Sequence, residues 1–265
     1  MQEAAYFRGL CADSKVPQVL TPETFAAVSV IVLAAAAVQR TVGFGSALLA
    51  VPLMTLVVPT KSAVVITFLI GTATSTWVCL NLSPHVEWRT TKQLGLGTII
   101  GAPIGVLILS LVSARALRLA LGVGVCAATA GIIVSARRSR RPATPSASRT
   151  LVVGVASGVL STSIATNGPP LVYELRRTGF TDDRFRATIS VAFIISDLIG
   201  LPLLAVAGLI SAFDVVLAAA ALVPCVIGIR LGSWFSGRMR THHFILAADL
   251  LLLATGAMTI TRAVV

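Results

Sequence analysis

The stretch SGVLSTSIATNGPPLVYELRRTGFTDDRFRAT, residues 157–188, decides the fold of this chain. It starts as an apolar helix and is interrupted by Asn167-Gly168-Pro169-Pro170. Proline suits the first turn of a helix, because the N–H groups of that turn have no partner within the helix, so the two prolines predict that a new helix starts here. In an apolar chain the interruption leaves backbone N–H and C=O groups that lipid cannot satisfy. We therefore expect the break to face protein or a polar cavity.

The composition identifies an integral membrane protein. The 265 residues are 56% hydrophobic and 12% charged, and their mean hydropathy is +0.92, whereas soluble domains carry about 25% charged residues. The net charge of +11 would suggest a nucleic-acid partner in a soluble protein, but in a membrane protein it indicates Lys and Arg retained in cytoplasmic loops. We expect a multi-pass protein of the cell membrane that contacts lipid and no nucleic acid.

An interruption of the same kind lies in the first half of the chain. Residues 43–47, GFGSA, follow an apolar helix and precede Val51-Pro52 in the next apolar run. Interrupted helices at corresponding positions of two halves indicate the binding site of a transporter. In addition, Gly101-x-x-x-Gly105 is matched by Gly228-x-x-x-Gly232, a spacing that lets helices pack closely. The pattern predicts an internal repeat.

Apolar segments along the whole chain predict an all-α polytopic fold built from two inverted repeats. We divide the chain into an N-terminal polar segment (1–22), a first transmembrane repeat (23–136), a basic linker (137–149, RRSRRPATPSASR) that should be cytoplasmic, and a second transmembrane repeat (150–265). The segments that follow the two breaks are shorter than the roughly 20 residues of a span. We expect about eight, and up to ten, transmembrane segments that include broken or re-entrant helices.

The two interrupted stretches resemble the motifs of the sulfite exporter family, also called TauE/SafE. That family carries a G-x-G-G-G-x-x-x-V-P-like segment in its first repeat and, in one subgroup, G-G-P-P followed by F-R-x-T in its second. Here these stand as Gly43-Phe44-Gly45-Ser46-Ala47…Val51-Pro52, and as Asn167-Gly168-Pro169-Pro170 with Phe185-Arg186-Ala187-Thr188. The likeness covers residues 25 to 262 and departs from the family pattern at Ser46, Ala47 and Asn167. The resemblance implies a carrier that exports a small anion, such as sulfite or an organosulfur acid, by alternating access.

An anion site needs oriented N–H groups, hydroxyls and a cation, without carboxylates crowding it. The start of a resumed helix offers free N–H groups and a partial positive charge. The candidate substrate-binding residues around the two breaks are Arg40, Thr41, Gly43, Gly45, Ser46, Ser161, Ser163, Thr166, Asn167 and Gly168. The alternative for the hydroxyls is a hydrogen bond back to their own helix, and the alternative for Arg40 is a cytoplasmic anchor.

Four charged residues are candidates for coupling or gating, because charge at membrane depth is costly. Asp197 is either a proton-coupling carboxylate or a structural group bonded to a neighbouring hydroxyl or backbone atom. Arg230 and Asp249 are expected at one depth, either as a structural ion pair or as a substrate arginine with a guarding carboxylate. Arg186 is expected at the cytoplasmic face, where it could gate by pairing with Asp182, Asp183 or Glu174.

Functions of other classes have less support in the sequence. The chain contains neither a Walker-type P-loop nor H-E-x-x-H, and its cysteines and histidines show no metal-ligand spacing and no catalytic triad. We therefore expect no enzyme, no cofactor and no metal site. The rival interpretations that stay open are an anion channel, an intramembrane enzyme and a non-transporting scaffold, and the sequence does not define the oligomeric state.

Overall fold

A computed structural model describes residues 21–236 except residues 43, 138–143, 145 and 181. In this part of the chain the fold is all-helical, as the sequence predicts, and contains no strand. The helices are α1 (Pro22–Val42), α2 (Ser46–Met54), α3 (Thr60–Leu82), α4 (Trp88–Leu111), α5 (Ala114–Arg137), α6 (Ala147–Ile164), α7 (Gly168–Arg177), α8 (Asp182–Val206), α9 (Ala212–Ala220) and α10 (Leu222–Ser236), with a 3₁₀ turn at Ser83–His85.

Several of these helices have the length and apolar character of membrane spans. Among the described residues, the stretches Pro22–Thr41, Trp88–Leu111, Ala147–Ile164 and Asp183–Val206 qualify singly, and α9 with α10 would form a fifth span that is bent by 41°. The side chains of Leu96, Ile100 and Leu107 on α4 are exposed, as expected where lipid rather than water covers a helix. The chain is a multi-pass membrane protein.

The bend between α9 and α10 was not expected, because the sequence predicts one continuous segment from Val215 to Phe235. Pro224 explains the bend, since it has no N–H group to donate to the carbonyl of Ala220 and its ring crowds that carbonyl. Helical hydrogen bonding resumes one residue later, where the Cys225 N–H donates to the Ala221 carbonyl over 3.0 Å.

The apolar segment that starts at Thr188 predicts that a helix begins there. In the structure this helix, α8, begins earlier, at Asp182. An acidic first turn complements the helix dipole, so the helix extends back through the charged residues. Arg186 consequently lies inside the helix, and Asp197 lies well within its length.

The closest helix packing joins the two halves of the chain through the paired glycines. A Cβ atom added at Gly101 of α4 would lie 2.9 Å from the carbonyl carbon of Val155 in α6. A Cβ atom added at Gly232 of α10 would lie 2.6 Å from the carbonyl oxygen of Ala37 in α1. In each half, the helix that carries the paired glycines therefore packs against the first helix of the other half.

Candidate functional site

Both interruptions are real breaks between helices. At the second, α6 ends at Ile164, Ala165 adopts a left-handed conformation with φ 53°, and α7 starts at Gly168 with prolines in its first turn. At the first, Gly45 has φ 99° and α2 starts at Ser46. A left-handed conformation costs a residue other than glycine about 1–2 kcal/mol, so the surrounding structure must hold Ala165 in place.

The two breaks meet at one cavity of about 40 Å³, which is room for a few water molecules. Its lining comes from both breaks and from α1, α3, α6 and α8. The lining residues are Gln39, Gly45, Ser46, Ala47, Leu48, Thr67, Phe68, Gly71, Ser75, Ser161, Ala165, Thr166, Asn167, Gly168, Phe193 and Asp197. We refer to this space as the central cavity.

The central cavity gathers most of the candidate substrate-binding residues. Those that line it are Gly45, Ser46, Ser161, Thr166, Asn167 and Gly168. Arg40, Thr41 and Ser163 do not line it, and Gly43 lies outside the described residues.

Three polar side chains on the cavity wall have no hydrogen-bond partner at all within the described residues. Those of Ser46, Ser161 and Asn167 bond to no other group within the described part of the chain. By contrast, the Ser163 hydroxyl donates to the Val159 carbonyl over 2.6 Å, which is the back-bonding alternative. A ligand in the cavity would therefore meet unpaired hydroxyl and amide groups.

Thr41 and Thr166 also donate their hydroxyls to the backbone. Thr41 bonds to the carbonyl of Ala37 over 2.7 Å, and Thr166 bonds to the carbonyl of Ile164 over 3.0 Å. The Thr166 oxygen still lines the cavity, but its proton is already committed. Neither hydroxyl is free to donate to an anion.

The first break offers more backbone donors than the second. The N–H of Leu49 bonds to the Gly45 carbonyl over 3.1 Å, so the N–H groups of the residues before Leu49 lack a helical acceptor. In α7, Pro169 and Pro170 occupy equivalent positions and have no N–H group. The start of α2 is therefore the stronger source of N–H groups for an anion.

Asp197 places a carboxylate on the same cavity. Its side chain is buried, and its Oδ2 atom accepts a hydrogen bond from Thr72 Oγ1 over 3.1 Å. This contact fits the structural alternative for Asp197, while its position on the cavity fits the coupling alternative. The carboxylate also departs from the expectation that an anion site has no carboxylate beside it.

A hydrogen-bonded group of three polar side chains, those of Gln39, Thr74 and Ser75, was not predicted from the sequence. Gln39 Nε2 donates to Ser75 Oγ over 3.3 Å, and Thr74 Oγ1 donates to Gln39 Oε1 over 2.8 Å. The signal that could have found it is the stretch GTATST, residues 71–76, which puts hydroxyls in the middle of an otherwise apolar helix. Gln39 and Ser75 bring this group to the cavity wall.

Two of the candidate arginines, Arg40 and Arg186, lie at the end of α1 and do not line the cavity. Arg40 Nε donates to Ser233 Oγ over 2.9 Å, and Arg186 Nη2 donates to the Thr41 carbonyl over 3.1 Å. The two guanidinium groups are close enough to interact electrostatically. The Asp183 carboxylate also interacts electrostatically with Arg40, so the two arginines and Asp183 form a charged cluster at the end of α1.

Arg186 does not pair with Glu174, which was one of the carboxylates considered as its gating partner. Glu174 instead forms ion pairs with Arg177 at 3.0 Å and with Arg149 at 3.3 Å, because its position on α7 faces the start of α6. Arg230 is exposed on α10, and its expected partner, Asp249, lies outside the described residues.

The chain is similar to known membrane proteins over most of its length. The sequence model of the family described as "Sulfite exporter TauE/SafE" matches residues 28–259. The "Probable sulfite/organosulfonate exporter TauE" of Cupriavidus necator is 26% identical over 185 residues, which cover 67% of this chain and 70% of that protein. No solved structure matches the chain. The family match spans both breaks and the central cavity, and the chain therefore belongs to the sulfite exporter TauE/SafE family of membrane transporters.

Proposed function

We propose that this protein carries a small sulfur oxyanion, sulfite or an organosulfonate, across the cell membrane, and that the central cavity is its binding site. The observation that carries this proposal is the convergence of both interrupted helices on one cavity. The oxygens of sulfite and of sulfonates accept hydrogen bonds, and charge-assisted hydrogen bonds are the strong ones. The unpaired donors of Ser46, Ser161 and Asn167 suit such a ligand.

The arrangement of the helices favours alternating access. Each half contributes a first helix, a break, a short helix and a long third helix, in the same order. The glycine-bearing helix of each half packs on the first helix of the other, as expected for two repeats related by a pseudo-two-fold axis. Rocking of one inverted repeat against the other, in a fold of about eight spans, would expose the cavity to either side.

A carrier fits the cavity better than a channel does. A volume of about 40 Å³ holds only a few water molecules, whereas a channel needs a continuous path. In a carrier the site opens to one side at a time, so a small cavity between the two breaks is expected.

The test is transport by the purified full chain in proteoliposomes. Uptake of labelled sulfite is measured against its concentration, with unlabelled methanesulfonate, sulfate or acetate as competitor, and counterflow is measured in vesicles preloaded with unlabelled sulfite. We expect saturable uptake, acceleration by internal sulfite, and competition by methanesulfonate but not by acetate. Uptake that rises linearly without counterflow would indicate a channel, and no uptake of any sulfur oxyanion would contradict the proposal.

A further inference from the structure

The proposed anion site contains a negative group that needs an explanation. Asp197 is 6% exposed and lines the central cavity. Among the described residues of the cavity wall, no other side chain is ionisable. Within the described residues, its side chain accepts a hydrogen bond from a neutral hydroxyl, that of Thr72. An ionised carboxylate here would face a bound anion without a cation between them.

The helices packed against Asp197 bring no cation to it. Lys61, in the first turn of α3, lies about 16 Å along that helix from Thr72, and its Nζ atom donates to the Ser110 carbonyl over 3.2 Å. Cys79 lies about 10 Å from Thr72 in the other direction along α3. On α8 itself, the nearest charged residue within the sequence is Arg186, about 16 Å away along the helix.

The other ionisable side chains of the elements packed against α8 are engaged elsewhere. Glu174 of α7 pairs with Arg149 and Arg177. Arg184, near the start of α8, pairs with Glu87. Other ionisable side chains on these elements are exposed, and these are the side chains of His85, Arg89, Lys92, Tyr173 and Arg176.

Repulsion between Asp197 and an anion links anion binding to a proton. Two like charges about 6 Å apart at an effective dielectric constant of about 20 weaken binding roughly 100-fold. Linkage is reciprocal, so a bound anion favours the protonated carboxyl by the same factor. We propose that Asp197 takes up a proton when the central cavity binds its anion, and that the two cross the membrane together. This inference rests on the proposed function.

Protonation also turns the carboxyl into a ligand for the anion. A protonated carboxyl has an O–H donor, whereas the ionised form only accepts hydrogen bonds. The proton binds a carboxylate oxygen of Asp197 while the cavity is open to the side of the membrane from which the anion enters. It leaves that oxygen when the cavity is open to the side on which the anion is released. A monovalent sulfonate and one proton carry no net charge, so the direction of flux follows the combined gradients of anion and proton.

The experiment applies a pH gradient to proteoliposomes that hold the full chain. Labelled methanesulfonate is the first probe, because it remains a monoanion throughout the assay range, and labelled sulfite corrected for protein-free vesicles is the second. The membrane potential is clamped at zero with potassium and valinomycin. An external pH one unit below the internal pH should drive accumulation of up to about tenfold at one proton per anion, since both gradients are then balanced at equilibrium.

Two buried aspartates provide the variant and its control. The counterflow that remains in Asp197→Asn should be independent of pH, because the amide takes up no proton, and the variant should lose the accumulation that a pH gradient drives. Asp197→Glu should restore part of it. Asp214→Asn should keep both counterflow and pH-driven accumulation. Asp214 is also buried, at 1% exposed, but it does not line the cavity, and its Oδ2 atom accepts a hydrogen bond from the Ser211 hydroxyl.

Several outcomes would overturn the inference. These are wild-type counterflow of either probe without a response to pH, accumulation driven by a sodium gradient in place of the pH gradient, and pH-driven accumulation that survives in Asp197→Asn. Absence of counterflow for every probe in the wild type would contradict the proposed function itself, and the proton inference would fall with it.

Discussion

At the scale of single residues, the direction of a hydroxyl group separates two serines of α6. Ser161 lines the central cavity, and its hydroxyl has no hydrogen-bond partner within the described residues. Ser163, two positions further, turns its hydroxyl to the carbonyl of Val159 in its own helix. The same side chain is therefore available to a ligand at one position and committed to the backbone at the other.

Replacing each serine by alanine tests this difference. We expect Ser161→Ala to raise the KM for sulfite about tenfold, because a hydrogen bond to a charged group contributes about 1.5–3 kcal/mol. Ser163→Ala should change KM by less than about twofold, since it removes only a back-bonded hydroxyl. Saturable uptake in proteoliposomes measures both, and equal effects of the two variants would contradict the position of the cavity.

The sequence predicts many residues of this site but not how each helix is rotated about its own axis. Prolines and glycines mark the breaks, because their backbone properties are local, and the hydroxyls beside the breaks are visible in the sequence. Which of those hydroxyls faces the cavity depends on how each helix is rotated against its neighbours. For that reason the candidate list included Ser163 and omitted Gln39, which lines the cavity from α1.

At the scale of elements, a buried carboxylate fixes the hairpin of α6 and α7. The Glu174 side chain is 1% exposed and pairs with Arg149 at the start of α6 and with Arg177 at the end of α7. Thr150 Oγ1 adds a hydrogen bond to Glu174 Oε1 over 3.4 Å. The contacts tie the open end of the hairpin together and so stabilise the break at its tip.

Loss of this carboxylate should be costly. We expect Glu174→Gln to lower the free energy of unfolding by about 2–3 kcal/mol, slightly below the range for fully buried ion pairs, because Arg149 is half-exposed. Glu87→Gln is the control, because Glu87 pairs with Arg184 at a more exposed position, where a pair contributes less than about 1 kcal/mol. Denaturation in detergent compares the variants. A larger loss for Glu87→Gln would contradict the role of Glu174.

The glycines between α4 and α6 give a second test of an element. In Gly101→Ala the new methyl group would collide with the backbone of Val155, so α4 and α6 must separate, and we expect both lower thermal stability and loss of transport. Gly124→Ala is the control, because the nearest atom to its added Cβ is Ile164 Cδ1 at 3.8 Å. It should raise stability by about 0.5–1 kcal/mol. Gly101→Ala with wild-type stability would contradict the packing.

At the scale of the whole molecule, the sequence predicts the features that depend on neighbouring residues. It does not predict which distant helices pack together. The apolar segments predict an all-helical membrane protein, and the start of α7 lies where the prolines indicate. The long segment after Val215 was predicted as one helix, although Pro224 bends it. The packing of α4 on α6 and of α10 on α1 joins residues far apart in the chain, so the glycine spacing could indicate close packing but not the partners.

The proposed inverted arrangement makes a prediction about sidedness. In a cysteine-free background, Ser146→Cys should react with a membrane-impermeant thiol reagent only from the cytoplasm, because the basic linker favours that side. Ala212→Cys should react only from the outside, because α8 crosses the membrane between the cytoplasmic face, where Arg186 is expected, and Ala212. Both positions are exposed. Labelling of right-side-out and inside-out vesicles measures sidedness, and reaction of both cysteines from one side would contradict the topology.

The central claim is that a sulfur oxyanion binds between the two breaks, and Asn167 tests it most directly. Asn167 caps α7, lines the cavity and has an unpaired amide in the described structure. Counterflow of labelled sulfite is the measurement, in proteoliposomes that contain either the wild type or Asn167→Leu, each with its thermal unfolding recorded. We expect saturable counterflow in the wild type and its loss in a folded Asn167→Leu protein. Undiminished saturable counterflow in Asn167→Leu would contradict it.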